Sequence, residues 1–291
     1  MRPILRDALL IARFELAESI RTRRALALGT LFLLTALGLA FAYSEAVRAT
    51  REAIGGQPLL QGAANTAYEQ LLLWMAGGNR RVARFLAEQP PAALFLVKIA
   101  TWFVPILVVL TSAEGIARDI GTRAARYTLL RSGRLCYALG KVLGQALLVA
   151  SVLGASAGLF LLVAMARTPG FDLLSSALGI ARFAPFVLAH ALCFVALAAL
   201  ASQLVAGPAA ARALALGLLL LSGLLLAAPA LVRRLGLPGA FGLIGQLSPF
   251  AHHGLAFAPS PAVRAAGALV YLALASLFFA IGYLRLRSRD V

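Results

Sequence analysis

Residues Val142–Ala166 read VLGQALLVASVLGASAGLFLLVAMA, with no Asp, Glu, Lys or Arg between Lys141 and Arg167. At about 1.5 Å of rise per residue, a helix of this length exceeds a hydrocarbon core about 30 Å thick, so the stretch can cross a bilayer. The other charge-free runs are Ala25–Ser44, Ile99–Ala113, Phe183–Ala211, Ala213–Val232, Leu235–Val263 and Ala265–Leu284. Ile99–Ala113 is too short alone; extended back to Ala92 it takes in Lys98, whose long stem can carry its ammonium to the interface. Leu235–Val263 holds Gly236, Gly239, Gly242, Gly245, Gly254, Pro238, Pro249, Pro259, Pro261 and the adjacent His252 and His253, so no continuous helix is expected there. It reads as a broken external or re-entrant segment whose backbone must be satisfied by protein or water.

The sequence therefore predicts one domain over residues 1–291, an all-α integral membrane protein. Its six transmembrane helices fall at about 25–44, 92–113, 142–166, 183–206, 213–232 and 265–284. Composition agrees: 61% of residues are hydrophobic, 13% are charged and mean hydropathy is +0.88, which excludes an ordinary soluble domain. The net charge of +16 would suggest nucleic acid as partner in a soluble protein. Here the charges sit between spans, and nucleic acid is not expected. With the N-terminus inside, the inner side holds sixteen basic residues and the outer side ten, with Lys98 inside a span. The two heavily basic short segments, Met1–Arg24 and Gly115–Lys141, both fall inside, which sets an N-in, C-in orientation.

Residues 1–24 read as an interfacial amphipathic helix with Leu5, Leu9, Ala12, Leu16 and Ile20 as its stripe, a solvated basic tail being the alternative. The first apolar run begins too late for a cleavable signal, although Ala40-Phe41-Ala42 resembles a cleavage site. The external loop, residues 45–91, shows two helical patches, one through Glu52 and one from Thr66 to Glu88, split by Gly55-Gly56 and Gly77-Gly78. Gly140-x-x-x-Gly144 and Gly154-x-x-x-Gly158 are spacings that let helices approach closely. Pro105 is expected to bend the second span and Pro185 to start the fourth. Cys136 and Cys193 imply no disulfide.

There is no His-Glu-x-x-His, and Gly154-Ala155-Ser156-Ala157-Gly158 lies inside a charge-free span, so it is no strand-to-helix nucleophile elbow. Gly133 to Lys141 has the wrong glycine spacing for a phosphate loop, and Val142 stands where a hydroxyl must reach magnesium. His190 reads as a polar contact between helices; His252 and His253 are neighbours on a loop and make no metal site. The spans are nearly free of acids, which argues against ion-driven transport.

The informative segment is the inner loop, residues 114–141. Asp119 can start a helix there, and Leu129-Leu130 form an apolar knob flanked by Arg126, Arg131 and Arg134. Such a knob suits docking into a groove on a soluble partner; a topogenic basic loop lying on anionic membrane lipid accounts for it equally well. The string Arg118-Asp119, Gly121-Thr122, Leu129-Leu130-Arg131, Arg134, Tyr137 and Gly140-Lys141 resembles the pattern between spans two and three of type-2 ABC transporter permeases. The six spans, the N-terminal surface helix and Leu247-Ser248-Pro249-Phe250-Ala251-His252 fit the same family, so the resemblance covers the whole chain. It departs from the pattern at Ile120, between Asp119 and Gly121, and at Gly133, where many members carry proline.

The resemblance implies a permease subunit, mostly of exporters, that pairs with a second copy or a paralogue and with two copies of a cytoplasmic ABC ATPase. ATP and Mg would sit on that partner; this chain would hold no cofactor and would not be an enzyme by itself. Loop 114–141 would be the coupling element, and Glu114, at the inner mouth of the second span, a gating or interface acid. Glu114, Arg118 and Asp119 are expected to hold the inner surface together by pairing among themselves or with the N-terminal helix. The Arg-over-Lys, Ala/Leu-rich composition points to a bacterium of high genomic GC content, and with the resemblance the expected location is a bacterial cytoplasmic (inner) membrane, crossed several times. Cysteines at Ser248 and Ser260 are expected to label from outside. A noncatalytic anchoring protein that recruits a cytoplasmic partner shares every feature except ATP dependence; an intramembrane enzyme would have only His190, Gln203 and scattered serines to work with.

Overall fold

A computed structural model describes residues 2–21, 24–53, 63–234 and 245–289. Its helices are α1 (Arg2–Arg21), α2 (Arg24–Ala53), α3 (Ala63–Met75), α4 (Arg80–Ala87), α5 (Pro91–Ser112), α6 (Gly115–Gly121), α7 (Ala124–Arg167), α8 (Leu173–Leu204), α9 (Pro208–Arg234) and α10 (Pro261–Arg287), with a 3-10 helix at Pro249–Phe257. No strand occurs among the described residues. Six helices are long and apolar enough to cross a membrane: α2, α5 with α6, α7, α8, α9 and α10. The Gly55-Gly56 break and residues 235–244 of the Gly/Pro-rich segment lie outside the described residues.

Helix α8 is the axis of the bundle, packed against α5, α7, α9 and α10. Its inward side is built from small residues with a few aromatics, including Ala191, Phe194, Ala198 and Ala201. This corrects the expectation that Pro185 starts the fourth span. Asp172 caps α8, its carboxylate accepting from the Ser175 N–H at 3.0 Å, and Pro185 lies two turns or more inside the helix. Arg182 hid that extension in the sequence, because a charge ends an apolar run without ending a helix. At the other end the Arg289 guanidinium donates to the Leu204 and Val205 carbonyls, satisfying acceptors that the end of α8 leaves open.

Of the leucines of its stripe, α1 turns Leu16 toward the core. Its buried line is Ala8, Ala12, Glu15 and Ser19, while Leu5, Leu9, Phe14 and Ile20 are exposed. The physical reason is close approach: α1 lies on α7 at Gly140 and Gly144. A Cβ on Gly140 would stand 2.5 Å from the Ile11 Cβ and 2.8 Å from the Ala8 carbonyl oxygen; one on Gly144 would stand 2.9 Å from the Ala12 carbonyl oxygen. Gly154 and Gly158, in contrast, face open space. Gly140→Val is expected to lift α1 off α7 at a cost of about 1–3 kcal/mol. The check is maleimide labelling of a cysteine at Ala12, now 1% exposed: reactivity should rise sharply in the valine variant, and unchanged protection would refute the contact.

Helix α7 is two helices in one. Gly133 adopts φ 74° and ψ 159°, a conformation proline cannot take, so a short segment Ala124–Ser132 is set off from the span that starts at Arg134. That fixes the boundary the sequence left open. Positive φ at Gly77 and Gly78 likewise separates α3 from α4. A second correction concerns Ser248. Its side chain is buried, accepts from the Phe250 N–H and donates to the Ser222 carbonyl at 2.6 Å, so a cysteine there would be shielded; Ser260 is exposed.

Candidate functional site

The polar residues concentrate at one end of the bundle, where α1, α6, the start of α7 and the α8–α9 turn meet. Lys141 is buried on α7 and pairs with Glu15 of α1 and, at 2.7 Å, with Asp119 of α6. Tyr137 donates its hydroxyl to the same Asp119 carboxylate at 2.9 Å, and Gln145 donates to Glu15 at 3.0 Å. One ammonium thus serves two carboxylates, each carrying a further neutral donor, the arrangement a buried charge requires. Beyond it, Arg118 pairs with Glu18 of α1 at 2.8 Å and Glu114 with Arg212 of α9 at 2.6 Å. The backbone N–H of Ala117 donates to the Ser202 hydroxyl on α8 at 2.8 Å.

Of the two pairings expected for Glu114, Arg118 and Asp119, the one with the N-terminal helix is made by Arg118. Arg118 reaches α1, Asp119 reaches α7 and Glu114 reaches α9, so α6 is clamped from three sides. Arg118 and Asp119 are successive residues and point about 100° apart, which sends them to different neighbours, while Glu114 stands at the N-cap one turn earlier. Gly121 lies where a Cβ would meet the Ala206 carbonyl oxygen at 2.8 Å, and the Thr122 hydroxyl donates back to the Arg118 carbonyl at 2.9 Å, closing α6. Arg123, at φ 60°, turns the chain into the next helix.

The apolar knob divides. Leu129 packs half-buried against the core, whereas Leu130 is 86% exposed, and its neighbour on the outer face is Tyr127, 78% exposed. Arg126 and Arg131 flank them in the open; Arg134 instead donates to the Arg287 carbonyl at the end of α10. Residues 127, 130 and 131 share one side of Ala124–Ser132 by helical spacing. Glu15, Tyr127, Gln145 and Ser202 were missed in the sequence, and Tyr137 was named there only as part of the family pattern. Glu15 had a signal, since a carboxylate in register with Ala8, Ala12 and Ser19 falls on a helix face that must be buried.

The opposite end is aromatic. Lys98 does not reach open solvent by its stem: it is buried, its ammonium 4.6 Å from the Trp74 ring centre and 5.5 Å from that of Phe257. His190 packs on Phe194 and Tyr271, and neither of its nitrogens has a hydrogen-bond partner among the described residues, so it is an aromatic contact and not the polar one expected. His252 and His253 each meet a backbone carbonyl of their own segment, at Gln246 and Phe250. Burial holds His253 below its ordinary pKa, with Lys98 adding to the effect and the Phe250 carbonyl opposing it. No group of three or more metal-ligating side chains occurs among the described residues. Between α2, α5, α7 and α8 lies an apolar recess of about 200 Å³, lined by Phe32, Ala36, Val104, Gly154 and Val187 among others.

Six membrane helices, a surface helix keyed to the third of them and a short helix clamped beneath the bundle form a constellation that can be matched to a family. The sequence model of the ABC-2 family transporter proteins matches residues 9–291. The chain belongs to that family. No curated protein matches the chain. This ABC-2 family member is a multi-pass membrane protein and a permease subunit of an ATP-binding cassette transporter, and the family as a whole works with an ABC ATPase.

Proposed function

We propose that this permease subunit is an exporter component of a bacterial cytoplasmic membrane, working as a homo- or heterodimer with two copies of a cytoplasmic ABC ATPase. Both termini lie inside, and the ATPase seats on Ala124–Ser132. ATP and Mg belong to the ATPase; this chain holds no cofactor and performs no chemistry. The observation that carries the reading is the exposed Tyr127–Leu130 face with its arginines, on a helix separated from its span at Gly133. An apolar, aromatic centre with a guanidinium rim is what a protein partner's groove recognises. Closure of the ATPases would push on this face. Asp119–Lys141–Glu15 passes the displacement to α1 and α7, and Arg212–Glu114 passes it to α9, tilting the spans around a central path.

The direct test is purification from native membranes in mild detergent. A stoichiometric soluble subunit with a phosphate-binding loop and vanadate-sensitive ATP hydrolysis is expected. A chain that comes out alone, from membranes shown to retain known complexes, overturns the reading in favour of an anchoring protein. Orientation has its own check: a cysteine at Ser260 is expected to react with an impermeant maleimide added outside, and labelling only after the inner face is opened would invert the topology.

A further inference from the structure

At the end of the bundle opposite the coupling helix, two arginines from different spans meet the same short stretch of chain, Arg264 at the Phe85 ring and Arg182 at Gln89. The Arg264 guanidinium carbon stands 5.6 Å from the Phe85 ring centre and 5.8 Å from that of Phe183. Its NH1 donates to the Ala258 carbonyl at 2.6 Å and to the Pro259 carbonyl at 3.1 Å. Arg182, next to Phe183 in the chain, donates at 2.7 Å to the Gln89 side-chain oxygen, and the Gln89 amide in turn donates to the Phe85 carbonyl. Each guanidinium is therefore held in place by neutral acceptors, with most of its five N–H donors still unused. Among the described residues neither arginine has an ion-pair partner within 4.0 Å. Glu88, beside Gln89, is exposed and pairs with neither.

Two cations anchored around Phe85, Gln89 and Phe183 with no ion-pair partner among the described residues repel each other unless an anion joins them. Depth says which anion. Arg182 lies about 33 Å of helix from Leu204 at the far end of α8, and Arg264 about 32 Å from Arg285 on α10, at about 1.5 Å per residue. A hydrocarbon core about 30 Å thick then places both guanidiniums in the headgroup layer opposite the coupling helix. Trp74 and Leu71 of α3, both exposed, are a belt of the kind that sits at this level, and the exposed Arg80, Arg81 and Arg84 of α4 add to the positive field.

We propose that Arg264, held over Phe85 and Phe183, and Arg182, held by Gln89, form a binding site for the phosphate of a membrane phospholipid headgroup. The oxyanion takes the free guanidinium N–H donors in charge-assisted bonds, for which Arg forks are suited. The lipid would fasten the starts of α8 and α10 to the end of α4, so that this end of the bundle stays fixed while the coupling end moves. This goes beyond the coupling reading and does not depend on it.

The test is native mass spectrometry of the detergent-purified full-length chain titrated with dioleoylphosphatidylglycerol, and in a separate arm with inorganic phosphate. A first lipid adduct that resists collisional removal is expected in the wild type, weakened about tenfold in Arg182→Gln and in Arg264→Gln. Arg182→Lys and Arg264→Lys keep the charge and lose the fork, so intermediate retention is expected from them. Thermal unfolding of each variant separates loss of the site from loss of the fold. Adducts unchanged in both glutamine variants overturn the proposal. So does inorganic phosphate binding at these arginines while the lipid does not.

Discussion

Changing Leu130 to aspartate is expected to release the ATPase from the permease while the chain still inserts and folds. Leu130 is 86% exposed and makes no core contact, so the folded bundle loses nothing when it is replaced. The docked complex loses the apolar centre of its interface and gains a carboxylate with no place to go. Truncation of such an anchor costs about 2–4 kcal/mol, and burying an unpaired charge adds to that, so affinity should fall at least about a hundredfold. Co-purified ATPase and ATP-dependent transport should both drop to background. Leu129→Asp is the instructive comparison: Leu129 packs half-buried against the core, and that variant should lower the unfolding temperature as well. Undiminished ATPase recovery with Leu130→Asp would remove Ala124–Ser132 as the docking element.

Lys141→Met is expected to be the most destabilising single change at the coupling end. It leaves the Glu15 and Asp119 carboxylates, with side chains 3% and 14% exposed, facing each other with no cation between them. Removing one partner of a buried ion pair costs about 3–5 kcal/mol, because the remaining charge stays desolvated. Helix α1 should come away from α7, visible as tryptic cleavage within residues 6–21 and a lowered unfolding temperature in detergent. The double variant Glu15→Gln with Lys141→Met should recover more than half of the loss, since Asp119 keeps the Tyr137 hydroxyl and Glu15 no longer carries a charge. A single variant as stable as the parent would show that the triad does not hold α1.

Part of this architecture could be read along the chain because a bilayer imposes a one-dimensional rule. About 20 apolar residues cross it and charges do not, so the six spans followed from counting. The same rule misled at Arg182, where a charge in the headgroup layer ends an apolar run while α8 continues back to Leu173. On α1 the pattern does not say which of two faces packs on protein: Leu5, Leu9 and Ile20 of its stripe are exposed, while Ala12 and Leu16 turn toward the bundle. What chose between them was the close approach permitted by Gly140 and Gly144, which favours Ala8 and Ala12 over Leu5 and Leu9.

Class of protein, six membrane helices and, through the pattern from Arg118 to Lys141, the family were all legible along the chain. Those depend on composition, on period and on order along the chain, all of which are local. Which charges meet came from the packing of helices far apart in the chain. It joined Glu15 to Lys141 across 126 positions, brought Glu114 to Arg212, separated Leu130 from Leu129, and set Arg264 over Phe85 and Phe183 with Arg182 on Gln89. Pairing of this kind is set by helix register and rotation in three dimensions. A turn of 100° per residue, accumulated over twenty residues on each of two helices, decides contact or separation while leaving the sequence pattern unchanged.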